Sequence, residues 1–121
     1  MKDFLNIPKN RIIYKNDFFF VIEDKYPVSP GHLLIISNHL RADYFQLTAK
    51  EKTELLNLIE WCKEYLDKKV HPNGYNIGMN CGPAAGQTVF HFHCHIIPRF
   101  QGDLDHPEGG VRGVIPSKMK Y

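Results

Sequence analysis

Three histidines, His91, His93 and His95, alternate with Phe92, Cys94 and Ile96. In an extended strand this period of two puts three imidazoles on one face and three apolar groups on the other. Three imidazoles without partners are costly to bury, so their face must look into a site. One zinc ion is a poor fit for all three. Same-face residues on a strand stand about 6.6 Å apart, whereas nitrogens held at about 2.1 Å from one ion must converge. A metal would take two of them, with further ligands from His32, His39 or Asp24. A phosphate with its leaving oxygen suits the row better, because successive imidazoles can contact it along the strand. Neutral imidazole, with an ordinary pKa of about 6.5, is a nucleophile at physiological pH, and the phosphorus–nitrogen bond it forms is open to water.

The loop before this run, Cys81-Gly82-Pro83-Ala84-Ala85-Gly86-Gln87, is rich in small and turn-forming residues. Gly82, Gly86, Gln87 and Thr88 are expected to bring backbone N–H groups and a hydroxyl to phosphate oxygens. The loop matches no P-loop pattern, and a plain turn explains it equally. The three cysteines, Cys62, Cys81 and Cys94, suit neither a disulfide framework nor a Cys-x-x-Cys knuckle and read as reduced thiols. Cys94 falls on the apolar face of the histidine strand, where a thiol behaves as a small hydrophobe.

The elements that must hold these residues follow from pattern. Arg11 to Tyr14 and Phe18 to Glu23 read as strands around a Lys15-Asn16-Asp17 turn, and His32 to Ser37 as a buried third strand after Pro27-Val28-Ser29-Pro30-Gly31. A short helical turn is placed at 40–47. Thr48 with Glu51 three residues on is a capping box opening a long helix. Leu55, Leu58, Ile59, Cys62, Leu66 and Val70 form its apolar stripe, and His71-Pro72-Asn73-Gly74 ends it. Tyr75 to Asn80 and Val89 to Ile97 supply two more strands. One long helix between neighbouring strands predicts an α+β layer, with an antiparallel sheet of about five strands. From Gln101 onward glycine and proline predict an extended tail, within a single domain spanning 1–121.

At 121 residues the chain can bury a core without disulfides or structural metal. Its 43% hydrophobic and 23% charged residues place it among globular proteins. A net charge of +2 gives no field that points to nucleic acid. The opening residues lack the apolar core of a secretion signal and no run is long enough to span a bilayer, so neither nucleic acid nor membrane is an expected partner and the cytosol is the expected location.

From Gly86 to Arg99, Gly-Gln-Thr-Val-Phe-His-Phe-His-Cys-His-Ile-Ile-Pro-Arg, the chain closely resembles the signature of the histidine triad family. The similarity extends through Asp24 to Pro27, Pro30-Gly31-His32 and the following strand. The resemblance implies a homodimer acting at the α-phosphate of an adenine nucleotide, with no metal or other cofactor required. It casts His93 as nucleophile through a nucleotidyl-histidine intermediate and His95 as donor to a non-bridging oxygen. His91 then orients and polarises the site, and His32 props His93 from behind. Asn80 and Thr88 fall to the phosphate, Asp24 to the ribose hydroxyls, which a carboxylate is apt to accept from, and Ile22, with residues near Phe4 and Ile7, to the base. A zinc-carrying branch has a Cys-x-x-Cys pair where Lys2 and Leu5 stand here, although His39 and His91 resemble its other ligands. The tail, with Gly109-Gly110-Val111-Arg112 and Ile115-Pro116, resembles bacterial members linked to diadenosine tetraphosphate hydrolysis. Dinucleoside polyphosphates therefore rank ahead of phosphoramidates, and the remaining alternative is a nucleotide-binding module without catalysis.

Overall fold

The computed structural model describes residues 3–121. Five strands, β1 (Ile12–Lys15), β2 (Phe19–Glu23), β3 (Leu33–Ser37), β4 (Gly74–Gly78) and β5 (His93–Arg99), form one antiparallel sheet in the order β1-β2-β3-β5-β4. A single helix, α1 (Ala49–Lys69), lies between β3 and β4 in the chain. The architecture is the α+β layer that the alternating patterns predict.

The β1–β2 hairpin turns on Asn16, whose Oδ1 accepts from the backbone N–H groups of Phe18 and Phe19. Helix α1 opens with a complete capping box. The Thr48 hydroxyl accepts from the Glu51 N–H, and Glu51 Oε1 accepts from both the Thr48 N–H and Arg41 Nε. Leu55, Leu58, Cys62 and Leu66 are buried on the stripe, while Ile59 and Val70 pack at its margin. The stripe covers one face of the sheet, meeting Phe19, Val21, Leu33, Ile35, Phe92, Cys94 and Ile96. Gly31 sits where the chain enters β3 beneath the helix end. Its φ is +91°, and a β-carbon there would stand 3.0 Å from Leu66 Cδ2, so only glycine fits without displacement.

The opposite face carries a smaller apolar cluster of Phe4, Phe20, Ile22, Leu34 and Ile36. Cross-strand partners share a face, and β3 pairs Ile36 with His93 and Leu34 with His95. The histidines therefore emerge beside this second cluster, away from the helix.

The elements depart from the sequence pattern in three places. β5 begins at His93, not Val89, because Phe92 donates its N–H to the Arg41 carbonyl in the loop after β3 (2.6 Å) instead of continuing the ladder. β4 is Gly74–Gly78, ending before Met79 and Asn80. The segment after 101 is not extended throughout: it coils into two 3-10 turns, Gly110–Val114 and Pro116–Lys118. Arg112 donates to the Lys118 carbonyl at 2.9 Å and lies over the Tyr121 ring, closing the coil on itself.

Candidate active site

Helix packing on one side forces the imidazoles of His93 and His95 to the other, at the edge of a cleft of about 560 Å³. Phe4, Ile7, Ile22 and Leu34 wall its apolar end, Asp24, His32 and Thr88 its polar end, and Arg11 and Lys25 also line it. The two cations were not anticipated in the sequence, since nothing in their local pattern ties them to residues some seventy positions on.

His93 holds its Nδ1 at 2.8 Å from the His91 carbonyl oxygen. A carbonyl only accepts, so Nδ1 carries the proton and Nε2 keeps a free lone pair. The Phe4 ring packs edge-on against His93, with centroids 5.1 Å apart, and limits its rotation.

His91 is expected beside it on the strand face, but it is fully buried and does not line the cleft. Its Nδ1 accepts from the Phe4 N–H at 3.0 Å and its Nε2–H donates to the Ser37 carbonyl at 2.7 Å. Both nitrogens are occupied, so His91 acts on His93 through its backbone oxygen alone. Burial lowers its pKa, against the opposing pull of the Ser37 carbonyl. The resemblance places His32 behind His93; its bond is to His95 instead. His32 Nδ1 accepts from the Val28 N–H at 3.1 Å, which puts the proton of the neutral ring on Nε2. That proton faces His95 Nδ1 at 2.9 Å, with Asp24 Oδ2 a more distant acceptor at 3.4 Å. His95 Nδ1 is then an acceptor, and its own proton sits on Nε2. Burial, and after it the neighbouring imidazoles, holds the His95 pKa down to about 4, with Asp24 opposing; burial also lowers His32. The relay leaves Nε2 as the donor nitrogen of His95, beside the His93 ring.

Asp24, His32 and His95 each offer one ligand atom within 4.8 Å of the others. The Val28 N–H decides what this cluster does. A metal on His32 Nε2 would need the ring proton moved to Nδ1, into collision with that N–H, so the three residues are arranged as a hydrogen-bond relay and not as ligands. Of the positions compared with the zinc-carrying branch, Lys2 lies outside the described residues, Leu5 is exposed, and His91 has no free nitrogen.

The loop before the strand is spent on itself. Gly82 N–H donates to Gln87 Oε1, Gly86 N–H to the Pro83 carbonyl and Gln87 N–H to the Gly82 carbonyl. The Gln87 amide nitrogen donates to the carbonyls of Ala42 (2.6 Å) and Val89 (3.1 Å). These bonds brace the loop and occupy, within the protein, the N–H groups of Gly82, Gly86 and Gln87 that are expected at a phosphate. Thr88, next in the chain, lines the cleft. Asn80 lies elsewhere, in a neighbouring cleft on the β4 side of His95. Asp24 Oδ1 accepts from the Tyr26 N–H, and Ile22 lies buried under the apolar end. Cys94 is buried on the helix side, with its thiol pushed up to about 12 by burial, and takes no part.

The sheet thus carries one imidazole with its Nδ1 held by a carbonyl beside a second whose donor nitrogen is Nε2. The HIT domain family profile matches residues 6–102, and the chain belongs to that family. An AP-4-A phosphorylase of Mycobacterium tuberculosis is 28% identical over 112 residues, 90% of this chain, which spans 57% of that protein's length. The asymmetrical bis(5'-nucleosyl)-tetraphosphatase of Schizosaccharomyces pombe is 32% identical over 78% of the chain and 52% of its own length. A hypothetical histidine triad nucleotide-binding protein of Sulfolobus tokodaii superposes with a TM-score of 0.73 at 34% identity, covering 76% of this chain and 62% of the other. The chain thus spans little more than half the length of the two curated relatives.

Proposed function

We propose that the chain is a nucleotidyl hydrolase that cleaves at the α-phosphate of an adenine nucleotide through an adduct on His93. The observation that carries this reading is the hydrogen bond from His93 Nδ1–H to the His91 carbonyl, which directs the lone pair of the neutral ring to Nε2, at the cleft. That nitrogen bonds to phosphorus while the bond to the leaving group breaks, and the departing group keeps the electron pair. Water then attacks the phosphorus, the phosphorus–nitrogen bond breaks, and AMP is released; the proton that the water loses balances the one gained by the leaving group. His95 Nε2–H stabilises charge on a non-bridging oxygen, together with the Thr88 hydroxyl. The Asp24 carboxylate receives the ribose hydroxyls, and the apolar end takes the base against Ile22, Phe4 and Ile7. Asn80 serves the phosphate from the β4 side, and no cofactor is needed.

The names of two relatives support dinucleoside polyphosphates as the substrate. A phosphoramidate is the second reading, favoured by the uncharged cleft beyond His95. Rapid quench into base after mixing with diadenosine tetraphosphate or adenosine phosphoramidate should trap AMP on the wild-type protein and none on His93→Ala. Because the nucleophile acts mainly in the transition state, His93→Ala should lose turnover by at least about a thousandfold and keep its AMP affinity within a few-fold. Full activity in His93→Ala would refute the mechanism, and tight AMP binding without turnover in the wild type would leave only a binding module.

A further inference from the structure

The segment 3–7 belongs to no strand, yet it meets both the nucleoside end of the cleft and the histidines. We propose that it is a strap through which a bound base orders the nucleophile: Phe4 is a positioning residue for His93, and a base seated against Phe4 and Ile7 raises kcat as well as affinity. The inference rests on the nucleotidyl reading above and adds to it the part of the substrate that assembles the site.

The chain of contacts starts at a backbone group. The Phe4 N–H donates to His91 Nδ1 at 3.0 Å, a buried bond between residues 87 positions apart. On its other side the His91 ring donates from Nε2 to the Ser37 carbonyl at 2.7 Å, so it is stapled between the strap and the end of β3. The carbonyl of this same residue accepts from His93 Nδ1 at 2.8 Å. That carbonyl lies before β5, and its peptide has two anchors, the Phe92 N–H bonded to the Arg41 carbonyl and the His91 ring. Removing the Phe4 donor leaves a buried acceptor without a partner and loosens the second anchor. The Phe4 ring adds to this, standing edge-on at 5.6 Å from His91 and 5.1 Å from His93 between centroids. One residue thus bears on the group that places the proton of His93 and on the His93 ring itself.

The strap is lightly tied, which lets a ligand move its balance. Among the described residues, the Phe4 N–H makes the one hydrogen bond from 3–7 to the rest of the chain; Asp3 Oδ1 closes a local turn on the Leu5 N–H, and Leu5 is exposed. What remains is apolar packing of Phe4 on Phe20, Ile22, Leu34 and Ile36, with Ile7 at the margin. Phe4 and Ile7 from the strap face Ile22 and Leu34 from the sheet across the apolar end of the cleft. A base between them gains contact on both sides, and the strap's share exists only while the strap is closed. The base therefore favours the closed strap, and with it the ordered His91–His93 pair, by as much as that differential contact. Binding energy gained far from phosphorus is in this way expressed in kcat.

Two substrates and three variants of the full chain test this: adenosine 5'-phosphoramidate and ribose 5'-phosphoramidate, which lacks the base, with Phe4→Leu, Phe4→Ala and Phe4→Pro, folding checked by circular dichroism. In the wild type, loss of the base should lower kcat by about tenfold or more, in addition to raising KM. Phe4→Pro, which has no N–H, and Phe4→Ala, which has no ring, should bring kcat for the adenosine compound down toward the base-free value. Phe4→Leu, which keeps the N–H and an apolar body, should recover most of that loss. Imidazole nitrogen NMR shifts supply a readout independent of turnover: with AMP bound near neutral pH, wild-type His93 should be protonated on Nδ1, and Phe4→Pro should show a mixture of the Nδ1–H and Nε2–H forms. Equal kcat with and without the base in the wild type, a rise in KM at unchanged kcat in folded Phe4→Ala and Phe4→Pro, or an unmoved His93 tautomer in Phe4→Pro overturns the proposal. Absence of wild-type turnover with both substrates would instead remove the hydrolase reading, while the imidazole shifts would still decide whether the strap orders His93.

Discussion

A carbonyl oxygen has no proton to give, and that asymmetry orders the histidines one after another. The Val28 N–H fixes His32, His32 fixes His95, and the His91 carbonyl fixes His93. Replacing His32 with alanine leaves His95 Nδ1 without its donor, at a cost of about 1–3 kcal/mol. Were that cost felt in the transition state, kcat should drop by about ten- to a hundredfold with little change in KM, which steady-state kinetics would reveal. Acid should also unsettle this network. His95, lowered to about 4 by burial, and His91 and His32, lowered mainly by burial, bind protons less readily in the fold than in the unfolded chain, where histidine titrates near 6.5. Their contribution to stability is therefore complete above pH of about 6.5 and is lost as pH falls from there through about 4. Urea unfolding at pH 7.5, 5.5 and 4.5 should show the midpoint decline, with a shallower decline in His95→Gln. A flat midpoint across that range would contradict the burial argument.

Among the elements, α1 does most to place the site, because its apolar stripe claims the Phe92, Cys94 and Ile96 side of β5 and leaves the other side to the imidazoles. Thr48→Ala removes half of the capping box and should cost about 1 kcal/mol, read as a lower melting temperature with activity unchanged. Gly31→Ala puts a β-carbon 3.0 Å from Leu66 Cδ2 at a φ of +91°. It should destabilise by more than about 1 kcal/mol and, because β3 carries Leu34 and Ile36 beneath the histidines, lower nucleotide affinity as well. The helix and its cap are local in origin, a 3.6-residue period and a Thr-x-x-Glu box, which is why they are legible in the sequence. The start of β5 is not local: Phe92 and Arg41, 51 positions apart by number, meet only when the loop after β3 folds under the strand.

At the scale of the whole molecule, the tail and the sheet edges set the remaining questions. No described helix is long and apolar enough to cross a membrane. A β-carbon at Gly109, whose φ is +93°, would overlap the Met119 carbonyl. Gly109→Ala should therefore open the coiled tail, seen as faster amide exchange over 110–119 with the melting temperature of the domain little altered. β4 forms one edge of the sheet, and we propose, with the family resemblance, that two chains associate as a homodimer in the cytosol. Sedimentation should then give twice the 14.0 kDa of one chain, and a monomer at micromolar concentration would set the dimer aside.

Residue order alone determined the alternation that sends Cys94 one way and His93 and His95 the other, the capped helix that covers the apolar side, and the family signature around them. Each of these depends on neighbours within a few positions, where periodicity and side-chain chemistry are visible in the string. Tertiary structure decided the rest: that His91 is buried with no free nitrogen, that His32 serves His95, that Gln87 braces its loop, and that the tail coils over β4. Those outcomes turn on single backbone N–H and C=O groups of Phe4, Ser37, Val28 and Ala42. Every residue but proline carries the same pair of groups, so only their meeting in space could say which histidine they would occupy.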